Sequence, residues 1–218
     1  MKRVLVISPH PDDEAIGCGG TLRKHVLEGA VVQVIFLTSG EKGGHGRSES
    51  ETIHIREKES HRAAKILGIQ EMEFWHLPDG AVKPTRAAIN RLRTTLATLQ
   101  PDIIYVPHTH EKHPDHVAAA RLLKSSLRAV WRHGHIDAYT PTVLLYEVWT
   151  PLQVMDHIVD ISLHIKEKLA AIRAYSSQCA VVDFASAFRG LARYRGELHC
   201  WPEGEYAEVF AELRVKET

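Results

Sequence analysis

Val4-Leu5-Val6-Ile7-Ser8-Pro9-His10-Pro11-Asp12-Asp13-Glu14 begins as an apolar run of strand length and ends in an imidazole and three carboxylates. A buried strand that ends in such a cluster presents it, and a divalent metal is the simplest occupant. Pro9 and Pro11 restrict the backbone on either side of His10 to extended or turn geometry. The imidazole and the aspartates that follow therefore have a fixed direction. Adjacent Asp12 and Asp13 cannot easily reach one atom, so one is free to bind a metal while the other accepts a proton from water beside it.

Working outward, apolar runs of strand length alternate with amphipathic segments, the pattern of βα units on a mostly parallel sheet. Strands are predicted over Val4 to Ile7, Val31 to Leu37, Glu73 to His76, Ile103 to Val106 and Val143 to Val148. Helices are predicted at about Gly20 to Glu28, Glu49 to Leu67, Thr85 to Leu99 and His116 to Trp131, with Gly68 as a helix stop. Ile158 to Tyr175 reads as a short strand leading into a helix, and the chain beyond Ser176 reads as irregular or mixed. Within that last part, Tyr194 and Arg195 are candidate pocket residues without a mechanism attached. No internal shift in composition demands a second domain, so residues 1–218 read as one.

The 27 basic and 27 acidic residues cancel, which argues against nucleic acid or an anionic membrane surface as partner and favours a small neutral or zwitterionic substrate. Cys18, Cys179 and Cys200 are odd in number and widely spaced, so neither a disulfide framework nor a structural zinc knuckle is expected. A reducing cytoplasm fits, with no signal peptide and no membrane span expected. A homo-oligomer is compatible with all of this. Of the 15 histidines, His61, His133 and His135 lie among charged residues and read as surface groups.

A second cluster, His113-Pro114-Asp115-His116, follows the strand-like run Ile103-Ile104-Tyr105-Val106. Pro114 suits a first helical position, which makes His113 the N-cap and puts Asp115 and His116 in the first turn. Two histidines and one carboxylate suit Zn²⁺ or Fe²⁺ and leave a position open for water. Either cluster alone has a plainer reading, since acidic residues satisfy a helix dipole and a strand-end histidine is ordinarily just hydrogen-bonded. Two such clusters, each at a strand end and braced by proline, are harder to ascribe to chance, with His76, His108 and His110 as rival ligands. Gly17-Cys18-Gly19-Gly20 lacks the G-x-G-x-x-G pattern and follows three carboxylates, so close helix-to-sheet packing explains it better than phosphate binding. Lys42 to Ser50, rich in Gly, Ser and charge, reads as a loop toward the ligand crevice, suited to a lid. On spacing alone, Arg56 and Glu59 form a solvated ion-pair face.

His10-Pro11-Asp12-Asp13-Glu14, with Gly17 and Gly19-Gly20 after it, resembles the opening signature of the LmbE-like, or PIG-L, family of metal-dependent N-deacetylases. His113-Pro114-Asp115-His116 resembles that family's second signature. Arg56-x-x-Glu59-x-x-x-Ala63, Leu67-Gly68 and Tyr206-Ala207-Glu208-x-Phe210 extend the resemblance over nearly the whole chain. It implies a Rossmann-like, three-layer α/β fold and removal of acetyl from an N-acetylamino sugar or its conjugate. It further implies Zn²⁺, or alternatively Fe²⁺, held by His10, Asp13 and His116, with Asp12 as general base. His113 then stabilises the oxyanion and protonates the amine, Asp115 orients His113 in its charged form, and Arg56 lies near substrate. Glu14 gives helix-cap or outer support. The alternatives are the same metal site acting on a non-sugar acyl amide, or a metal- or nucleotide-binding module without turnover. An intact Asp12 and His113 argue against the module, which needs neither base nor acid.

Overall fold

The structure, a computed structural model, describes residues 1–132, 140–200, 202 and 204–213. Its elements run β1 (Arg3–Ser8), α1 (Asp13–Leu27), β2 (Val31–Phe36), α2 (Glu49–Leu67), β3 (Glu71–Phe74), α3 (Arg86–Leu99), β4 (Ile103–Pro107) and α4 (Pro114–Arg132). Then follow β5 (Thr142–Tyr146), β6 (His157–Asp160), α5 (Ile165–Ala174), α6 (Ser176–Cys179), α7 (Phe184–His199) and β7 (Ala207–Glu212), with short 3₁₀ turns at Glu41–Gly44 and Ser162–His164. All seven strands share one sheet in the order β3-β2-β1-β4-β5-β7-β6. Strands β1 to β5 pair in parallel, and β7 is antiparallel to both β5 and β6.

The apolar run of β1 shows why the sheet has two covered faces. Val4 and Val6 pack with Leu22 of α1, Leu67 of α2 and Ile172 of α5 on one face. Leu5 and Ile7 pack with Leu92 and Leu96 of α3 and Leu123 and Leu127 of α4 on the other. Successive side chains of a strand alternate between faces, so only a run apolar throughout serves both layers. The result is the three-layer α/β arrangement that the sequence predicts.

Neighbouring strands β1 and β4 lead into connections on opposite sides of that order, and a crevice opens where their carboxyl ends diverge. His10 to Asp13 follow β1, and His113 to His116 follow β4. The topology therefore brings two clusters about a hundred residues apart to one place.

Three of the predicted boundaries differ for a clear local reason. Helix α1 starts at Asp13 rather than near Gly20, so the glycines lie inside it. They are tolerated because the helix presses on the sheet: a Cβ on Gly17 would stand 2.2 Å from the Tyr146 ring of β5, and one on Gly20 2.8 Å from Ile161. Strand β5 stops at Tyr146 rather than Val148 because the Glu111 carboxylate accepts the next N–H groups, those of Val148 (2.7 Å), Trp149 (3.1 Å) and Thr150 (3.2 Å). Strand β3 ends at Phe74, before His76 turns to positive φ at 53°. The region beyond Ser176, read as irregular or mixed, contains α6, the 16-residue α7 and β7.

The C-terminal strand is tied to α1 by buried charge. Glu208 of β7 accepts the Gly20 N–H (2.9 Å) and Thr21 N–H (2.7 Å), and Lys168 of α5 donates to both Glu208 and the Ile16 carbonyl. Of the two candidate pocket residues in α7, Tyr194 is exposed on the surface. Arg195 is buried against Glu147, with Nε at 3.2 Å and Nη2 at 2.7 Å, and both lie outside the cleft described below. The three cysteines are free, and His61 is exposed, whereas His133 and His135 lie outside the described residues. Among the described residues no helix is long and apolar enough to cross a membrane.

Candidate active site

His10, Asp13 and His116 meet at a single carboxylate oxygen. Asp13 Oδ2 lies 3.1 Å from His10 Nδ1 and 3.2 Å from His116 Nε2, and it accepts the His10 backbone N–H at 2.9 Å. Both ring nitrogens of the fully buried His116 nevertheless lack an aligned hydrogen-bond partner. A buried polar nitrogen left in that state costs free energy unless something else engages it, and a metal ligand is the familiar exception. Burial works to raise the Asp13 carboxyl, but His116 and His10 outweigh it and hold it well below the usual carboxylate range.

Asp12 occupies a different position. Its φ of 121° is a region that residues with a side chain rarely adopt, a strain on the order of 1–3 kcal/mol that the surroundings must sustain. Two groups do so. Glu14 Oε2 accepts the Asp12 N–H at 3.1 Å, while Arg56 donates to Asp12 Oδ2 at 3.0 Å, to the Gly40 carbonyl at 3.0 Å and to the Pro11 carbonyl. Burial pushes the Asp12 carboxyl up to about 7, against the downward pull of Arg56. Glu14 is itself buried, accepts a hydrogen bond from Tyr175 and is pushed up to about 8 by burial. It thus provides outer support, as its place in the signature implies.

The solvated-face reading of α2 is overturned by these contacts. Arg56 is 4% exposed, and Gly40, at φ 65°, leaves room for it where a Cβ would stand 2.1 Å from its Nη1. Glu59 is equally buried, accepting from the Ser176 and Ser177 hydroxyls and the Ser177 N–H at the start of α6. Helical spacing gave no sign of this because the partners come from loops and from α6, far away in sequence.

In the second cluster, Asp115 pairs with a different histidine from the one expected. Its Oδ2 lies 3.2 Å from His10 Nε2 and accepts from Gly80 N–H at 2.7 Å, and its Oδ1 accepts from Val82 N–H at 3.0 Å. Toward His113 it offers only its backbone N–H, which donates to Nδ1 at 3.3 Å. Burial, then the charges of His10 and His116, lower the His113 imidazole against the upward pull of Asp115. With Nδ1 accepting, the neutral ring carries its proton on Nε2.

Asp79 belongs to the site and was not singled out in the sequence. It stands 3.1 Å from His10 Nε2, accepts the Lys42 N–H at 2.9 Å and is held down to about 2, with His10 and the Lys42 backbone overcoming its burial. Its signal was the turn dipeptide Asp79-Gly80 just past a strand on the carboxyl edge of the sheet. Among the described residues two groups have ligand atoms close enough to share an ion, His10 with His113 and His116, and His10 with Asp79 and Asp115. The rivals lie elsewhere: His108 Nε2 faces the Thr150 carbonyl at 2.7 Å, and His76 and His110 are exposed.

His10, Asp12, Asp13, Arg56, Asp79 and His113 line a cleft of about 350 Å³, with the exposed Trp149, Val181 and Val182 at its mouth. The carboxylates of Asp12, Asp13 and Asp79 line it together with Arg56 and Lys42, and that of Asp115 lies against His10 Nε2. Neutral imidazoles would leave an excess of buried negative charge, so the donor set fits a divalent cation.

The PIG-L family, described as GlcNAc-PI de-N-acetylase, matches residues 5–127. A diacetylchitobiose deacetylase of Thermococcus kodakarensis is 31% identical over 192 residues, covering 82% of this chain and 70% of that protein. The solved N,N'-diacetylchitobiose deacetylase of Pyrococcus horikoshii superposes with a TM-score of 0.83 at 28% identity, covering 98% of this chain and 84% of that one. GalB, a 4-carboxy-2-hydroxymuconate hydratase of Pseudomonas putida KT2440, reaches 0.86 at 23% identity, covering 98% and 96%. The last likeness concerns the fold alone. The same scaffold thus accompanies a different named activity, and the reading of function rests on the site.

Proposed function

The chain belongs to the PIG-L family, and from that premise we propose that it is a metal-dependent N-deacetylase acting on an N-acetylamino sugar or its conjugate. The observation that carries the proposal is the convergence of His10 Nδ1 and His116 Nε2 on Asp13 Oδ2, beside a separately held Asp12. In this reading His10, Asp13 and His116 hold the ion, which is zinc, with Fe²⁺ as the second candidate. Once bound, such an ion supplies a Lewis acid and brings the pKa of water near 7.

The protein's own groups do the rest. Asp12, raised by burial and free of the ligand set, takes a proton as general base. Arg56 keeps that carboxylate aimed by gripping both its oxygen and the carbonyl before it. His113 offers Nε2–H to the developing oxyanion, and the proton that Asp12 has taken from water passes to the amine as the C–N bond breaks. Asp115 and Asp79 orient His10 through the nitrogen facing away from Asp13, as carboxylates commonly do for ligating histidines. The substrate is a small molecule, and the enzyme acts in the cytoplasm. Acetate release from N-acetylglucosaminyl conjugates, by zinc-loaded and chelated protein, tests the proposal. Turnover that persists after complete metal removal defeats it.

A further inference from the structure

The deep half of the cleft is polar, but its mouth is not. Trp149 is 49% exposed, Val181 54% and Val182 44%, whereas His10 and Asp13 are 8% and 2% exposed. Exposed apolar side chains gathered at the rim of a polar pocket mark a surface that a ligand covers.

Trp149 is held rigidly for such a role. The buried Glu111 carboxylate accepts three consecutive backbone N–H groups around it, those of Val148, Trp149 and Thr150. The indole then packs edge-on against Phe184 at the start of α7, with centroids 5.7 Å apart at 72°. A ring fixed in this way loses little freedom when a ligand stacks on it. The catalytic reading leaves Trp149 without a task.

Resting on the deacetylase reading above, we propose that Trp149 is the platform of an aglycone subsite that takes a second pyranose ring, attached to the N-acetylated one. The same mouth carries the exposed Lys42 and His45 beside Val181 and Val182. A pyranose presents an apolar C–H face and a hydroxylated edge, and so matches an aromatic surface and polar side chains together. An alkyl chain would leave Lys42 and His45 facing hydrocarbon.

The test uses zinc-loaded protein and three substrates: N-acetylglucosamine, N,N'-diacetylchitobiose and the octyl glycoside of N-acetylglucosamine. In the parent, the disaccharide should have the lowest KM. Trp149→Ala should raise the disaccharide KM relative to that of N-acetylglucosamine by about tenfold, the upper range for an aromatic contact. Trp149→Phe, which keeps an aromatic face, should restore most of that ratio. Because the readout is a ratio of KM values, a general loss of activity does not enter it. An unchanged ratio in Trp149→Ala overturns the subsite, and so does an octyl glycoside that gains more than the disaccharide and loses more on substitution. If the parent releases acetate from none of the three, the deacetylase reading fails. Calorimetric binding of the disaccharide then decides the subsite separately: about tenfold weaker binding to Trp149→Ala upholds it, and equal or absent binding overturns it.

Discussion

Helix α1 borders two clusters of buried charge that are resolved in opposite ways. Midway along it, Glu208 is matched by Lys168 and by the N–H groups of Gly20 and Thr21, so each charge has its complement. At its N-terminus, Asp12, Asp13, Asp79 and Asp115 crowd around His10, Arg56 and His116, and the His116 nitrogens have no aligned partner. Burial is nearly complete in both. What separates them is balance: a cluster closed on itself holds the fold, and one left with convergent acceptors is built for a cation.

The largest effect expected from breaking this contrast is at His116. His116→Ala should lose stoichiometric metal and, with it, all measurable deacetylation. Metal analysis after gel filtration checks it, and retention of one zinc per chain would remove His116 from the ligand set. The same measurement separates the rival triads, for Asp13→Asn should lose metal whereas His113→Ala should keep it. The reverse result would transfer the ligand role to His113, as one of the two geometric groups allows.

Next comes Asp12→Asn. The amide preserves shape and most contacts but accepts no proton, so kcat should fall by about 10²–10⁴-fold with metal content intact. A variant that lost metal instead would exchange the roles of the two aspartates.

Which parts of this contrast can be read from sequence follows from where the partners lie. His10, Asp12 and Asp13 are legible because proline, strand end and carboxylates sit within a few residues, and His113 and His116 for the same reason. The buried sheet is legible because β1 is apolar throughout from Val4 to Ile7. Arg56, Glu59 and Asp79 are not, because their partners come from 16 to 118 positions away. The Lys168–Glu208 pair escapes for the same reason, and the glycines of α1 hide a helix whose warrant is the Tyr146 ring. Local chemistry survives in the sequence, and pairings across the fold do not.

Arg56 tests that limit with a smaller effect. If it aims Asp12, Arg56→Ala should lower kcat/KM by about 10–100-fold, the usual cost of removing a supporting group around a metal site. Arg56→Lys should recover little, since one ammonium cannot reach the Gly40 and Pro11 carbonyls and Asp12 together as the planar fork does. Full activity in Arg56→Lys would mean that charge alone matters there.

The smallest effect on chemistry is expected at the balanced cluster, where the loss should appear as stability. Lys168→Met leaves the Glu208 carboxylate buried without its cation and should cost about 3–5 kcal/mol, lowering Tm by roughly 6–20 °C for a chain of this size. At temperatures where the variant is folded, kcat/KM should match the parent. The double variant Lys168→Met, Glu208→Leu should be more stable than the single one. With the carboxylate gone, the Gly20 and Thr21 N–H groups can turn to the carbonyls of Ile16 and Gly17, their ordinary partners four residues back in a helix. Thermal melts of the three proteins decide it: a double variant less stable than Lys168→Met would mean that Glu208 holds α1 by its backbone contacts rather than by charge balance.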